Sequence, residues 1–171
     1  MKSLIYIAIA FISVLTMASC EKKDYPKGVD ELAHHYYAIF VPNTNTGVTV
    51  PRSQTALLKF PVQFYSTFVR DYDAVARYTV VTHGNGITSP AIVGQDFNIV
   101  DKNGNAISSP DSTYSMVFPK AVQAMDTIYI KLLNNATPGS RKMEIQIMDN
   151  ITSQFEVDIF STAYRRPVTI N

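Results

Sequence analysis

The chain has one cysteine and no tryptophan among its 171 residues. A lone cysteine excludes an internal disulfide, and nothing near Cys20 stands at a metal-ligand spacing, so a zinc-ribbon type of site is excluded as well. The absence of tryptophan removes the commonest sugar-stacking side chain, although ten tyrosines leave a substitute. Histidine is scarce: His34, His35 and His83 are the three. No serine elbow, HExxH metal motif or phosphate-cradling glycine loop occurs. A glycosidase would need two carboxylates at a fixed separation, and glutamate is sparse. Glu144 and Glu156 both alternate with apolar neighbours, which places them on a solvated outer face. These gaps argue against an enzyme. The charge balance is 15 Lys+Arg against 14 Asp+Glu, with no basic run beyond Lys22-Lys23. Such a surface does not suit nucleic acid.

What is present begins with a leader. Lys2 gives a positive start, "LIYIAIAFISVLTMA" is apolar but short for a membrane span, and "EKKDYPKG" follows at once. That layout is secretory and is set apart from the fold. Ala18 and Ser19 ahead of Cys20 resemble the bacterial lipoprotein signal, with Met17 where leucine is commonest. The resemblance implies cleavage before Cys20, so that residues 1–19 are the signal peptide and Cys20 carries lipid, palmitate included. Two or more buried acyl chains hold a soluble domain at a membrane, whereas one is marginal. An ordinary cleaved leader and a retained anchor are the alternatives. Residues 20–34 read as a tether, with Pro26 and Gly28 discouraging regular structure.

From residue 35 to 171 the pattern is β. Strands are expected over 35–41, 55–66, 74–82, 97–100, 114–118, 126–133, 141–148, 154–160 and 167–170, each with period-two alternation. In 55–66, Leu58, Phe60, Val62 and Phe64 share one side. Pro61 cannot donate to a ladder, which predicts an edge strand or a bulge there. Strands without helical crossovers imply an all-β fold of two antiparallel sheets packed face to face, as in an immunoglobulin-like sandwich.

"AIVGQDFNIV" (91–100), "YSMVFPKAVQAMDTIYIKLLNN" (114–135), "RKMEIQIMDN" (141–150) and "RPVTIN" (166–171) then resemble, in that order, the Calx-beta pattern. The chain is similar to Bacteroidota lipoproteins that carry Calx-beta-like or other immunoglobulin-like modules, many in families with no assigned function and many encoded near outer-membrane glycan-uptake systems. The resemblance implies a non-catalytic binding or accessory module at the outer membrane, periplasmic or surface-exposed, with a glycan as the possible ligand. The alternatives are a structural or adhesion component that docks a partner envelope protein, and a calcium-binding sandwich.

Asp96 falls where the family has an acidic residue that can hold calcium. Calcium takes 6–8 oxygen ligands, yet Asp71, Asp73 and Asp101 lie in separate loops. The simpler role for Asp96 is to cap a turn. His34 and His35 would point to opposite faces of a strand and make a poor joint ligand set. His83, in the "THGNG" loop, is either a turn residue or a ligand contact. Tyr65, Tyr72, Tyr129 and Tyr164 are the candidate stacking residues. Tyr129 is expected on an outer face, where a second packed element or a partner protein would explain it equally. The loops 42–54, 82–95 and 101–113 are rich in Asn, Thr, Ser and Gly, which suits sugar hydroxyls and ordinary turns alike.

Overall fold

Period-two alternation is what organises this chain. In the computed structural model, which describes residues 34–65, 70–120 and 123–171, it produces strands β1 His35–Phe40, β2 Val48–Val50, β3 Leu58–Tyr65, β4 Ala74–Val81, β5 Phe97–Val100, β6 Thr113–Phe118, β7 Gln123–Leu132, β8 Arg141–Met148, β9 Asn150–Ile151, β10 Glu156–Ile159 and β11 Arg165–Ile170. They form a six-stranded sheet, β5-β7-β3-β1-β10-β9, and a five-stranded sheet, β2-β11-β8-β4-β6. The protein is therefore all-β, a mostly antiparallel two-sheet sandwich.

The inward residues meet between the sheets. Phe40, Val62, Phe64, Ile128 and Ile130 come from one, and Phe118, Met143, Ile145, Ile147 and Ile170 from the other, all nearly inaccessible. Each fully buried side chain of this size contributes roughly 1.5–3 kcal/mol. The core thus follows from the side of each strand that the apolar residues occupy.

Three expectations are corrected. The sheets are not wholly antiparallel: β1 runs parallel to β10, and β2 parallel to β11. β2 itself lies inside the expected 42–54 loop. It reaches β11 because Gly47 passes Pro167 so closely that an added Cβ would stand 3.1 Å from the proline. β3 is neither an edge strand nor bulged, since β7 and β1 flank it. Pro61 is tolerated because the β1 ladder ends one pair earlier, at Phe40↔Val62. Its carbonyl accepts the Val41 N–H at 2.9 Å, and the donor it lacks falls where β1 leaves the sheet.

The outermost strands are short: four residues in β5, two in β9 and three in β2, with six in β6. Short edges offer little template for strand addition. The expected signal peptide, Cys20 and the expected tether up to residue 33 lie outside the described residues.

Candidate functional site

The outer face of the six-stranded sheet carries the most distinctive surface. In β1, Tyr36, Ala38 and Phe40 point inward, which turns His35, Tyr37 and Ile39 outward. Tyr37 is paired with Tyr65 on β3 and with Asp158 on β10, so one row across three strands reads Tyr65, Tyr37, Asp158. Tyr37 is 42% exposed, Tyr65 53% and Phe160 40%. With Ile39 and Asn43 they line a shallow hollow of about 150 Å³. Phe160 meets Tyr37 edge-on at 5.9 Å. Met125, 58% exposed, extends the apolar surface along the next row, through its pairing with Gln63 and the pairing of Gln63 with Ile39.

Beside the rings lies a polar cluster. His35 stacks on Tyr37 at 5.3 Å. Its Nε2 stands 3.4 Å from Asp158 Oδ2 and 3.9 Å from Glu156 Oε1. The three ligand atoms lie within 4.8 Å of one another, an arrangement able to hold a divalent cation. All three side chains are partly buried. Asp149 joins them, its Oδ1 accepting the Ile159 N–H at 3.2 Å. Burial, and then the Asp158 and Glu156 carboxylates, raise the Asp149 pKa above the ordinary range.

That shift makes a prediction. A carboxyl whose folded-state pKa is raised stabilises the fold in its protonated form, and this contribution is lost as pH rises through the folded value. Asp149→Asn keeps an acceptor for Ile159 and removes the charge. It is expected to raise Tm at pH 7, with the advantage shrinking toward pH 4, in thermal melts followed at both pH values.

The calcium candidate that the family resemblance implies, Asp96, lies elsewhere in the fold. Asp96 is buried and caps its turn: Oδ2 accepts the Ile92 N–H at 2.8 Å, and its own N–H bonds the Ile92 carbonyl at 2.8 Å. Asp71, Asp73 and Asp101 do not gather around it; among the described residues the His35, Glu156 and Asp158 group is where ligands meet. Asp101 instead ties its own loop, Oδ1 accepting the Asn103 and Asn105 N–H groups at 2.8 and 2.9 Å. His34 and His35 do diverge. His34 Nδ1 bonds the Tyr72 hydroxyl at 2.7 Å, while His35 faces the carboxylates.

The candidate tyrosines are dispersed. Tyr65 belongs to the aromatic hollow. Tyr129 is on the same outer face but is paired with Lys59, six positions along β3 from Tyr65, or roughly 20 Å at the rise of a strand. It lines a separate hollow of about 350 Å³ with Val100, Asp101, Ile107 and Met116. Tyr72 is a packing residue: its ring stacks on Phe155 at 5.6 Å and its hydroxyl bonds that of Tyr36 at 2.7 Å. Tyr164 is half-buried against the core, with the Arg165 guanidinium 5.9 Å from its ring. His83 is exposed and hydrogen-bonds its neighbour, Nδ1 to Thr82 Oγ1 at 2.9 Å, in a turn where Gly84, Asn85 and Gly86 all have positive φ.

Glu144 is a further correction. The alternation puts it on an outer face, and it is on one, but it is only 5% exposed. Gln146 Nε2 donates to Oε1 at 2.5 Å, Asn85 Nδ2 stands 3.5 Å away, and Arg165 approaches Oε2 at 3.8 Å. The 85–87 turn covers it, lining a third hollow together with Glu144 and Arg165. Glu156 remains partly exposed, as expected.

Tyr37, Phe160 and Asp158 were not singled out from sequence. "HYYAIFV" and "QFEVDIF" do carry the alternation that turns them outward. Only the parallel β1–β10 pairing sets them side by side, and no local signal announces it.

The class defined by these sheets is an immunoglobulin-like β-sandwich. Solved structures with a similar fold include CBD12 from CALX1.2, at 15% identity and TM-score 0.44 over 78% of this chain; the chain spans only 44% of the length of that structure. The apo-form Calx CBD1 domain is 13% identical with TM-score 0.48, over 80% of this chain and 97% of that one. A cohesin–dockerin complex from Clostridium thermocellum gives 10% identity and TM-score 0.36, over 80% and 99%. No family model and no curated protein matches the chain.

Proposed function

We propose that this protein is a non-catalytic docking module of the cell envelope, held at the outer membrane by lipid on Cys20, which binds a partner protein through the outer face of its six-stranded sheet. The observation that carries the reading is the exposed cluster of Tyr37, Tyr65 and Phe160 with Ile39, continued by Met125. An outer sheet face in an isolated sandwich is ordinarily polar, and three large rings left in water there mark an interaction surface. Aromatic side chains give contact area at low entropy cost and are enriched at the centres of interfaces. The short edge strands favour docking on this face over strand addition.

A photo-crosslinking residue in place of Tyr65 or Met125, in the full chain expressed in its native host, is expected to yield a discrete protein adduct. The same residue in place of Val117, which is 55% exposed on the five-stranded sheet, is expected to yield none. Equal labelling from both faces, or none from either, would overturn the reading. Retention on a glycan array that Tyr65→Ala or Tyr129→Ala abolishes would replace it with carbohydrate recognition.

A further inference from the structure

The aromatic hollow and the carboxylate cluster share a wall. Tyr37 lines the hollow, stacks on His35, and is paired across the β1–β10 ladder with Asp158. Asp158, Glu156 and Asp149 therefore border a surface of three exposed rings. Against these carboxylates stands a single imidazole: among the described residues, no lysine or arginine forms an ion pair with them. An apolar groove ending in uncompensated negative charge is complementary to one kind of group, an alkyl chain that ends in a cation.

We propose that this hollow receives a lysine or arginine side chain of the docked protein, its stem lying across Tyr37, Tyr65 and Phe160 and its charged head reaching Asp158 and Glu156. The assignment rests on the docking reading for the identity of the partner as a protein; the recognition chemistry stands on the hollow itself. Aromatic faces attract a cation through the ring quadrupole as well as covering its methylenes. Long basic side chains present that combination, an apolar body and a charged tip. A bare metal ion would use the cluster of His35, Glu156 and Asp158 and leave the rings without a role. Asp149, placed against β10 through Ile159, adds a further carboxylate to the charged end.

The test needs no knowledge of the partner. The full chain is titrated with N-acetyl-arginine amide, N-acetyl-lysine amide and the uncharged N-acetyl-norleucine amide, and backbone amide shifts in β1 and β10 are followed by NMR with and without chelator. The expected result is saturable binding of the two cationic probes, unaffected by chelator. Norleucine amide is expected to bind more weakly, and Asp158→Asn and Tyr65→Ala are each expected to weaken the cationic probes about fivefold. Asp158→Asn retains the oxygen that accepts the Ile159 N–H at 2.7 Å, and Tyr65 is surface-exposed, so both variants keep the fold. Norleucine amide binding as well as the cations would overturn the inference and leave the docking face intact. The same holds if no probe binds while crosslinks from position 65 persist. Manganese chloride binding that Asp158→Asn abolishes, and that displaces the arginine probe, would assign the cluster to a metal instead. Loss of the crosslinks alone would overturn the docking reading and not the recognition of the cation.

Discussion

Phe64→Ala is expected to lower the unfolding free energy by about 3–5 kcal/mol, toward the upper end of that range. Phe64 is fully buried near the middle of the sandwich, and its partners in register on both sides are alanines, Ala38 on β1 and Ala124 on β7. The ring fills the space that those small residues leave, with the Tyr36 ring of β1 packed beside it at 5.3 Å. Across the core it stacks on Phe118 of the other sheet at 4.8 Å. The Arg70 guanidinium lies 4.6 Å over its face. Removing the ring therefore loses an inter-sheet contact and opens a cavity that the backbone ladders resist closing. With domain stabilities of about 5–15 kcal/mol, this change takes a large fraction of the total. Equilibrium urea unfolding checks it. A drop in midpoint equivalent to less than about 1 kcal/mol would mean that the two sheets can collapse onto the vacancy.

Arg166→Ala has the second largest expected cost, about 1.5–3 kcal/mol, because it removes hydrogen bonds from a charged donor together with the packing of a buried stem. Arg166 occupies an inward position of β11, one residue before Pro167, and is 4% exposed. Its guanidinium donates to the Pro42 carbonyl and to Thr44 Oγ1, and lies 5.0 Å from the Phe40 ring centre. It thus ties the start of the 42–47 segment, which follows β1, to the opposite sheet. Burial lowers its pKa, so the folded state bears a cost for holding the charge there. Arg166→Met retains the stem over Phe40 without that cost, and is expected to be at least about 1 kcal/mol more stable than Arg166→Ala. Parallel denaturation of the two variants separates packing from hydrogen bonding. If methionine is as damaging as alanine, the guanidinium contacts carry the stability rather than the stem.

The sequence by itself determined the class of fold and the inner face of most strands. Alternation in "LLKFPVQFY", "DTIYIKLL" and "RKMEIQIM" puts Phe60, Ile130 and Ile145 inward whatever their neighbours are, because a residue's side of a strand is a local property. It also separated His34 from His35 and made Asp96 a turn cap, again from local geometry. Which strands lie side by side was decided by the tertiary structure. β1 joins β10 across more than a hundred residues, β2 emerges from an apparent loop beside β11, and Pro61 finds its vacancy only because β1 stops opposite it. Glu144 has the outward position its alternation dictates, yet the 85–87 turn and Arg165 enclose it. The candidate site depends on the same non-local choice. Tyr65 was visible as an outward tyrosine, but Tyr37, Phe160 and Asp158 acquire meaning only when parallel pairing puts aromatic rings next to carboxylates. Strand faces are written every two residues; strand neighbours are set by packing the whole sandwich, and no short stretch of sequence encodes them.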